Sequence, residues 1–208
     1  MAAMEKNKVK FGLNKVHYAK ITGFDEETGM PIYDKPKRIP GAVSISVDAE
    51  GEAENFYADD SVYYVINNNS GYTGELEIAL IPLDFAQEIL GEKLDAHGVL
   101  FERNTDEVAQ FAIMFEFSGD KHKIRHVLYC CTASRPNTEG STTEESKEVK
   151  TETLSFTAAP LVNGLVKGKT TEATAQSAYN DWYKAVPMPY LPSDPTSGVK
   201  TVSTKSGS

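Results

Sequence analysis

Four groups of side chains in this chain are of the types that acid–base, metal or thiol chemistry uses. His122 and His126 stand in H-x-x-x-H spacing. On a helix that spacing puts two imidazoles on one face, fit for zinc. The residues around them alternate, so the stretch reads as strand, where four residues separate the attachment points by about 13 Å. One ion held by bonds of about 2 Å cannot join them, and both histidines read as ordinary strand residues. Asp48, Glu50, Glu52 and Glu54 resemble part of a calcium loop but lack its spacing and its final bidentate Glu, so they read as a solvated acidic stripe. Asp59-Asp60 pairs two carboxylates, with no His or nucleophile at a recognisable distance in sequence. Cys130 and Cys131 are adjacent; on a strand they point to opposite faces, and a bridge between them would be strained. Asn68-Asn69-Ser70 matches a glycosylation sequon, but nothing indicates secretion. There is no phosphate-binding loop, dinucleotide fingerprint or C-x-x-C pair. The expectation is a protein that is not an enzyme, with no catalytic residue, no cofactor and no metal ligand.

What positions these groups is a chain of one domain's length, 208 residues, with 40% hydrophobic residues and a formal charge of −9. That acidity opposes ordinary sequence-reading DNA binding. No stretch approaches the roughly 18 apolar residues of a membrane span, and no export signal is legible, so synthesis in a reducing cytoplasm is expected.

The organising stretch is Gly71–Gly91. Leu76, Ile78 and Leu80 alternate with Thr73, Glu75 and Glu77, the period of a strand with one dry face and one wet face. Pro82 should end it, Asp84 should cap a short helix carrying Phe85 and Ile89, and Gly91 should stop that helix. Further strands are expected at Val16–Ile21, at Val43, Ile45 and Val47 against Ser44, Ser46 and Asp48, and around Val62–Ile66. Phe111, Ile113, Phe115 and Phe117 give the clearest alternation, followed by a hairpin turn at Ser118–Lys121. The return strand should set Ile124, His126, Leu128 and Cys130 against Arg125, Val127, Tyr129 and Cys131. Leu154, Phe156 and Ala158 alternate with Thr151, Thr153, Ser155 and Thr157, and a weaker strand is expected within Leu161–Lys169. Residues 30–42 read as a proline-rich basic loop with Lys35, Lys37 and Arg38. A terminal helix capped by Thr174 should anchor the sheet through Trp182 and Tyr179; with Tyr183 and Tyr190 these aromatics are also the best support for a sugar-stacking surface. Residues 1–13 read as an N-terminal arm, 14–186 as the β domain, and 187–208, with four prolines, as a C-terminal arm expected to be mobile. The fold class is mainly β: an antiparallel β-sandwich or barrel with one or two short flanking helices and extended arms.

Several segments, taken in order, resemble the major tail protein, or tail tube protein, of long non-contractile phage tails in the branch common in Gram-positive hosts. They are Val9–Leu13 before Val16–Ala19, Tyr57–Asp60, Gly71–Glu77 with Phe85 and Ile89–Gly91, Phe111–Ile113 with Phe115-Glu116, Arg125–Tyr129, and Lys150–Phe156. The resemblance covers most of residues 8–186, and no single motif is diagnostic. It implies a β-sandwich protomer of a virion tail, synthesised in the host cytoplasm, forming hexameric rings that stack into a tube. Its partners would be further copies of itself, a tape-measure protein, and tail terminator and tail-tip proteins, with genomic DNA passing through the lumen without specific binding.

Within that reading the polar strand faces are candidates for the lumen: Ser44, Ser46 and Asp48; Thr73, Glu75 and Glu77; Thr151, Thr153 and Ser155. A wall of hydroxyls and carboxylates without cations lets DNA slide. Phe56, Tyr57, Asp59 and Asp60 are candidates for a subunit contact, with Lys35, Lys37 and Arg38 as the basic counterpart. The alternative function is a carbohydrate- or receptor-binding β-sandwich on a virion or cell surface.

Overall fold

The computed structural model describes residues 12–51, 53–58, 61–67, 69–118, 123–137 and 150–189; in 53–58 and 61–67 only the backbone is described. The chain runs β1 (Leu13–Phe24), β2 (Pro31–Tyr33), β3 (Lys37–Arg38), β4 (Ala42–Glu50), β5 (Ala53–Ala58), β6 (Ser61–Asn67) and β7 (Gly71–Ile78). It continues through α1 (Leu83–Glu88), β8 (Lys93–Leu94), β9 (Leu100–Phe101), β10 (Phe111–Phe117), β11 (Arg125–Ala133), β12 (Glu152–Ala158), β13 (Lys167–Lys169) and α2 (Gln176–Asp181). The fold is mainly antiparallel β. One sheet has the order β2-β1-β10-β11-β12-β7-β4, with β3 beside β1 and β13 beside β11; β5–β6 and β8–β9 are separate hairpins.

The sheet folds over on itself. Val16 and Tyr18 of β1 and Phe111, Ile113 and Phe115 of β10 share one core with Leu76 and Ile78 of β7 and Leu154 and Phe156 of β12, and α1 adds Phe85. This is the sandwich interior. Phe85 stands edge-on to both Tyr18 and Phe111, at 5.0 and 5.5 Å between ring centres, a favoured aromatic geometry. A second core lies on the opposite face of β1, β10 and β11, where Ala19, Ala112, Met114, Val127 and Tyr129 are covered by Leu161, Trp182 and Val186. Residues Phe111–Glu116 are therefore buried on both faces.

Several expectations need correction. β7 ends at Ile78, and Leu80 lies in the bend beyond it, 68% exposed. Val43 occupies the bulge in β4 between Ala42 and Ser44 and turns outward, since an extra residue reverses the alternation. A second bulge, in β11, aligns Cys131 with Phe111 but Leu128 with Ile113. Beyond it Cys130 joins the second core and Cys131 the first, so the expected face assignment inverts there. Residues 30–42 are not all loop, because β2 and β3 both pair with β1. Asp84 does not cap α1: Pro82 takes the extended N-cap position, no side-chain cap forms, and Asp84 sits in the first turn, where its charge suits the helix dipole. Gly91 does stop the helix, at φ +80°, where a Cβ would lie 2.6 Å from the Glu107 carbonyl oxygen. α2 starts after Ala175 without a Thr174 cap, and none of its residues is buried.

A polar sheet face as the candidate functional site

The register of β4, β7 and β12 builds a lattice from their wet faces. Ser44 pairs with Glu77 and Glu77 with Thr153; Ser46 pairs with Glu75 and Glu75 with Ser155; Asp48 pairs with Thr73 and Thr73 with Thr157. Three rows of three result, with hydroxyls at six positions and carboxylates at Asp48, Glu75 and Glu77. The alternate residues of the same strands, Leu76, Ile78, Leu154 and Phe156, are buried beneath and hold the lattice to the core. Removing their apolar area from water is what fixes which face turns outward, since a slip of one residue would exchange the two.

Glu77 is the most tightly held of the three carboxylates. Thr151, just before β12, donates its hydroxyl to Glu77 Oε1 at 2.7 Å, and Ser44 donates to Oε2 at 2.8 Å. Those two bonds, Thr151 first, draw the Glu77 carboxyl below its ordinary range despite partial desolvation. Two open depressions mark the face. One, of about 410 Å³, is lined by Ser46, Asp48, Thr73, Glu75, Ser155 and Thr157. The other, of about 370 Å³, reaches from Glu75 and Thr153 to Leu80, Arg135 and Lys150. Among the described residues, Arg135 and Lys150 are the cations that share this depression with the lattice residues Glu75, Thr153 and Ser155. Arg135 turns to the 102–106 segment, pairing with Glu102 at 2.9 Å and donating to the Asp106 carbonyl at 2.9 Å.

The structure brings all nine lumen candidates to one face: eight in the lattice, and Thr151 bonded to it. The contact candidates are placed differently. Phe56 and Tyr57 lie in β5, paired in backbone with β6; Asp59 and Asp60 are outside the described residues. Lys37 is engaged within its own chain, on Glu88, whose other oxygen accepts a 3.0 Å bond from the Tyr18 hydroxyl. Lys35 and Arg38 are exposed.

Of the residues weighed for chemistry, His126 stacks on Phe115 with 5.1 Å between ring centres, while His122 lies outside the described residues. Both cysteines are buried and unbridged, and burial pushes both thiols up. Among the described residues no three His, Cys, Asp or Glu side chains could share a metal ion. Trp182 is buried in the second core, and Tyr179 and Tyr183 lie against the Arg125 guanidinium, so these three aromatics are not an open stacking platform.

One polar cluster was not read from the chain. Glu116 and Arg125, directly opposite on β10 and β11, pair at 3.0 Å and are nearly fully buried. Lys15 adds a 2.9 Å contact to the other Glu116 oxygen, aimed there by a β1 bulge in which Lys15 takes φ 49°. The signal was present: a hairpin between β10 and β11 sets these two residues face to face, and opposite charges in such a pair attract.

No family model matches this chain, and no curated protein does. Among solved structures, it is similar to the tube-terminating cap of the anti-feeding prophage, at 12% identity and TM-score 0.47, over 82% of this chain and 99% of that one. The sheath–tube complex of an extracellular contractile injection system in its extended state gives 10% identity and TM-score 0.45, over 82% and 95%. The anti-feeding prophage baseplate gives 11% and 0.47, over 82% and 100%.

Proposed function

We propose that this chain is a structural protein of a virion tail, the subunit of a tube of stacked rings through which DNA leaves the particle. The lattice on β4, β7 and β12 carries the reading. A surface of hydroxyls and carboxylates in register repels phosphate and gives a passing duplex nothing to hold. The resemblance of the chain to tail tube proteins of long non-contractile tails supports the same conclusion, with a ring of six, a tape-measure protein inside, and terminator and tip proteins at the ends. The outer edge of β4 has no ladder partner among the described residues, and an unpaired edge of nine residues is a liability that assembly removes.

In this reading the β5–β6 hairpin, with Phe56 and Tyr57 and the flanking Asp59 and Asp60, reaches a neighbouring subunit, and Lys35 and Arg38 are its basic counterparts. Lys37 is already committed to Glu88. The test is negative-stain microscopy with light scattering over a range of protein and salt concentrations, with and without a tail-tip initiator complex. Rings or tubes of uniform diameter are expected. A monomer under every condition, initiator included, would overturn the proposal.

A further inference from the structure

Residues 176–189 cross the second core without joining the sheet: none of them pairs with a strand. α2 has six residues, none buried and no side-chain cap, so it has little stability of its own. The segment is fastened at a few points. Trp182 and Val186 are buried against the core, and the Tyr129 hydroxyl donates to the Pro187 carbonyl at 2.9 Å. The Tyr179 hydroxyl donates to the Lys123 carbonyl at 3.1 Å, and His17 stacks on Tyr183 at 4.5 Å.

Arg125 is the common fastener. Its Nε is fixed by Glu116, its Nη1 donates to the Tyr179 carbonyl, and its guanidinium lies 3.7 Å from the Tyr179 ring centre and 4.9 Å from that of Tyr183. Its backbone N–H donates to the Thr170 hydroxyl at 2.9 Å, anchoring the chain just before an exposed turn at 171–175. Against these stands Trp182 Nε1, buried with no hydrogen-bond partner, which weakens the docked state.

We propose that residues 176–189 form a detachable strap, latched by Arg125, that opens as a unit while the sheet stays folded and so bares the apolar face of Ala112, Met114, Val127 and Tyr129. The segment breaks no ladder bond on leaving, and local opening of such units below the global unfolding free energy is a general property of folded chains. Closed, the strap covers that apolar face; open, it leaves the face exposed to water. This goes beyond the proposed tail role and does not depend on it.

The chain's one tryptophan, Trp182, lies in the strap and reports on it directly. In the full chain, urea titration is followed by tryptophan emission and acrylamide quenching, and in parallel by far-ultraviolet circular dichroism. Trp182 should become exposed at lower urea than the loss of β signal. Arg125→Lys keeps a cation for Glu116 but loses the planar stack, and should populate the open strap about tenfold more at a given urea concentration, with the dichroism midpoint moving less. Tyr179→Ala, on the exposed helix, removes the stacking plate without touching the ion pair; it should do the same, and it carries the test if Arg125→Lys fails to fold. Coincident transitions in the parent and in the folding variants, or equal shifts of both signals, would overturn the proposal.

Discussion

The ring of Phe156 occupies the space that a side chain at Gly74 would need: a Cβ built there would lie 2.4 Å from Phe156 Cζ and 2.9 Å from the Ser46 carbonyl oxygen. The two residues are direct partners across β12 and β7. A residue without a side chain in the middle of a strand is ordinarily a weakness, and here the neighbouring aromatic fills the gap. Gly74→Ala should therefore destabilise the fold by about 1–3 kcal/mol, the usual cost of overpacking. Phe156→Leu in the same chain should recover part of the loss, and only part, because the carbonyl clash remains. Urea unfolding of the two single variants and the double variant would check this; additive losses would contradict it.

Glu116 and Arg125 should behave as one unit. Removing either partner leaves a buried charge uncompensated, which costs about 3–5 kcal/mol in comparable sites. Glu116→Gln alone should approach that loss, with Lys15 then lacking its anion as well. Glu116→Gln combined with Arg125→Met should cost clearly less than the sum of the single changes. A double-mutant cycle on unfolding free energies provides the measurement.

Stability should fall on acidification through a histidine that resists charging. His17 is held below the ordinary value of 6.5, first by burial, with Arg38 and Lys15 acting the same way and Glu116 and the Lys15 carbonyl opposing. A group whose folded pKa is depressed stabilises the fold above its unfolded pKa, and that contribution is lost as pH falls from 6.5 through the folded value. The urea midpoint should therefore drop between neutral pH and about pH 5. In His17→Gln the drop should be smaller over the same interval. Parallel pH profiles for the two chains would refute the assignment.

The polar lattice can be charged the other way. Glu75→Lys with Glu77→Lys places two cations in the middle of the face and removes the bonds from Thr151 and Ser44 to Glu77. If the lattice lines the bore, tubes should still form, while DNA release should slow, most strongly at low salt, where each cation holds a phosphate more firmly. Release unchanged at every salt concentration would remove this face from the bore.

What could be read from the chain follows from how each element is buried. β7 and β12 were legible because one face is dry and the other wet, so Leu76 and Thr73, or Leu154 and Thr153, declare their sides by type. The lattice followed from those same residues once the strands were neighbours. Val43 and the inversion at Cys130 were not legible, because a bulge adds one residue without changing the composition around it. Periodicity alone puts Leu80 on the buried face, but the ladder ends at Ile78. α2 gave a misleading pattern: its anchoring residues, Trp182 and Val186, come after the helix rather than along it.

The double burial of Phe111–Glu116 makes β10 a party wall between two interiors. A substitution there is judged twice, once by the sandwich core and again by the layer beneath the C-terminal segment. Among the described residues, those of the polar lattice are packed on their inner side and turn their outer side to solvent. The chain therefore divides into a wall whose residues are packed on both faces and outer layers whose residues are packed on one.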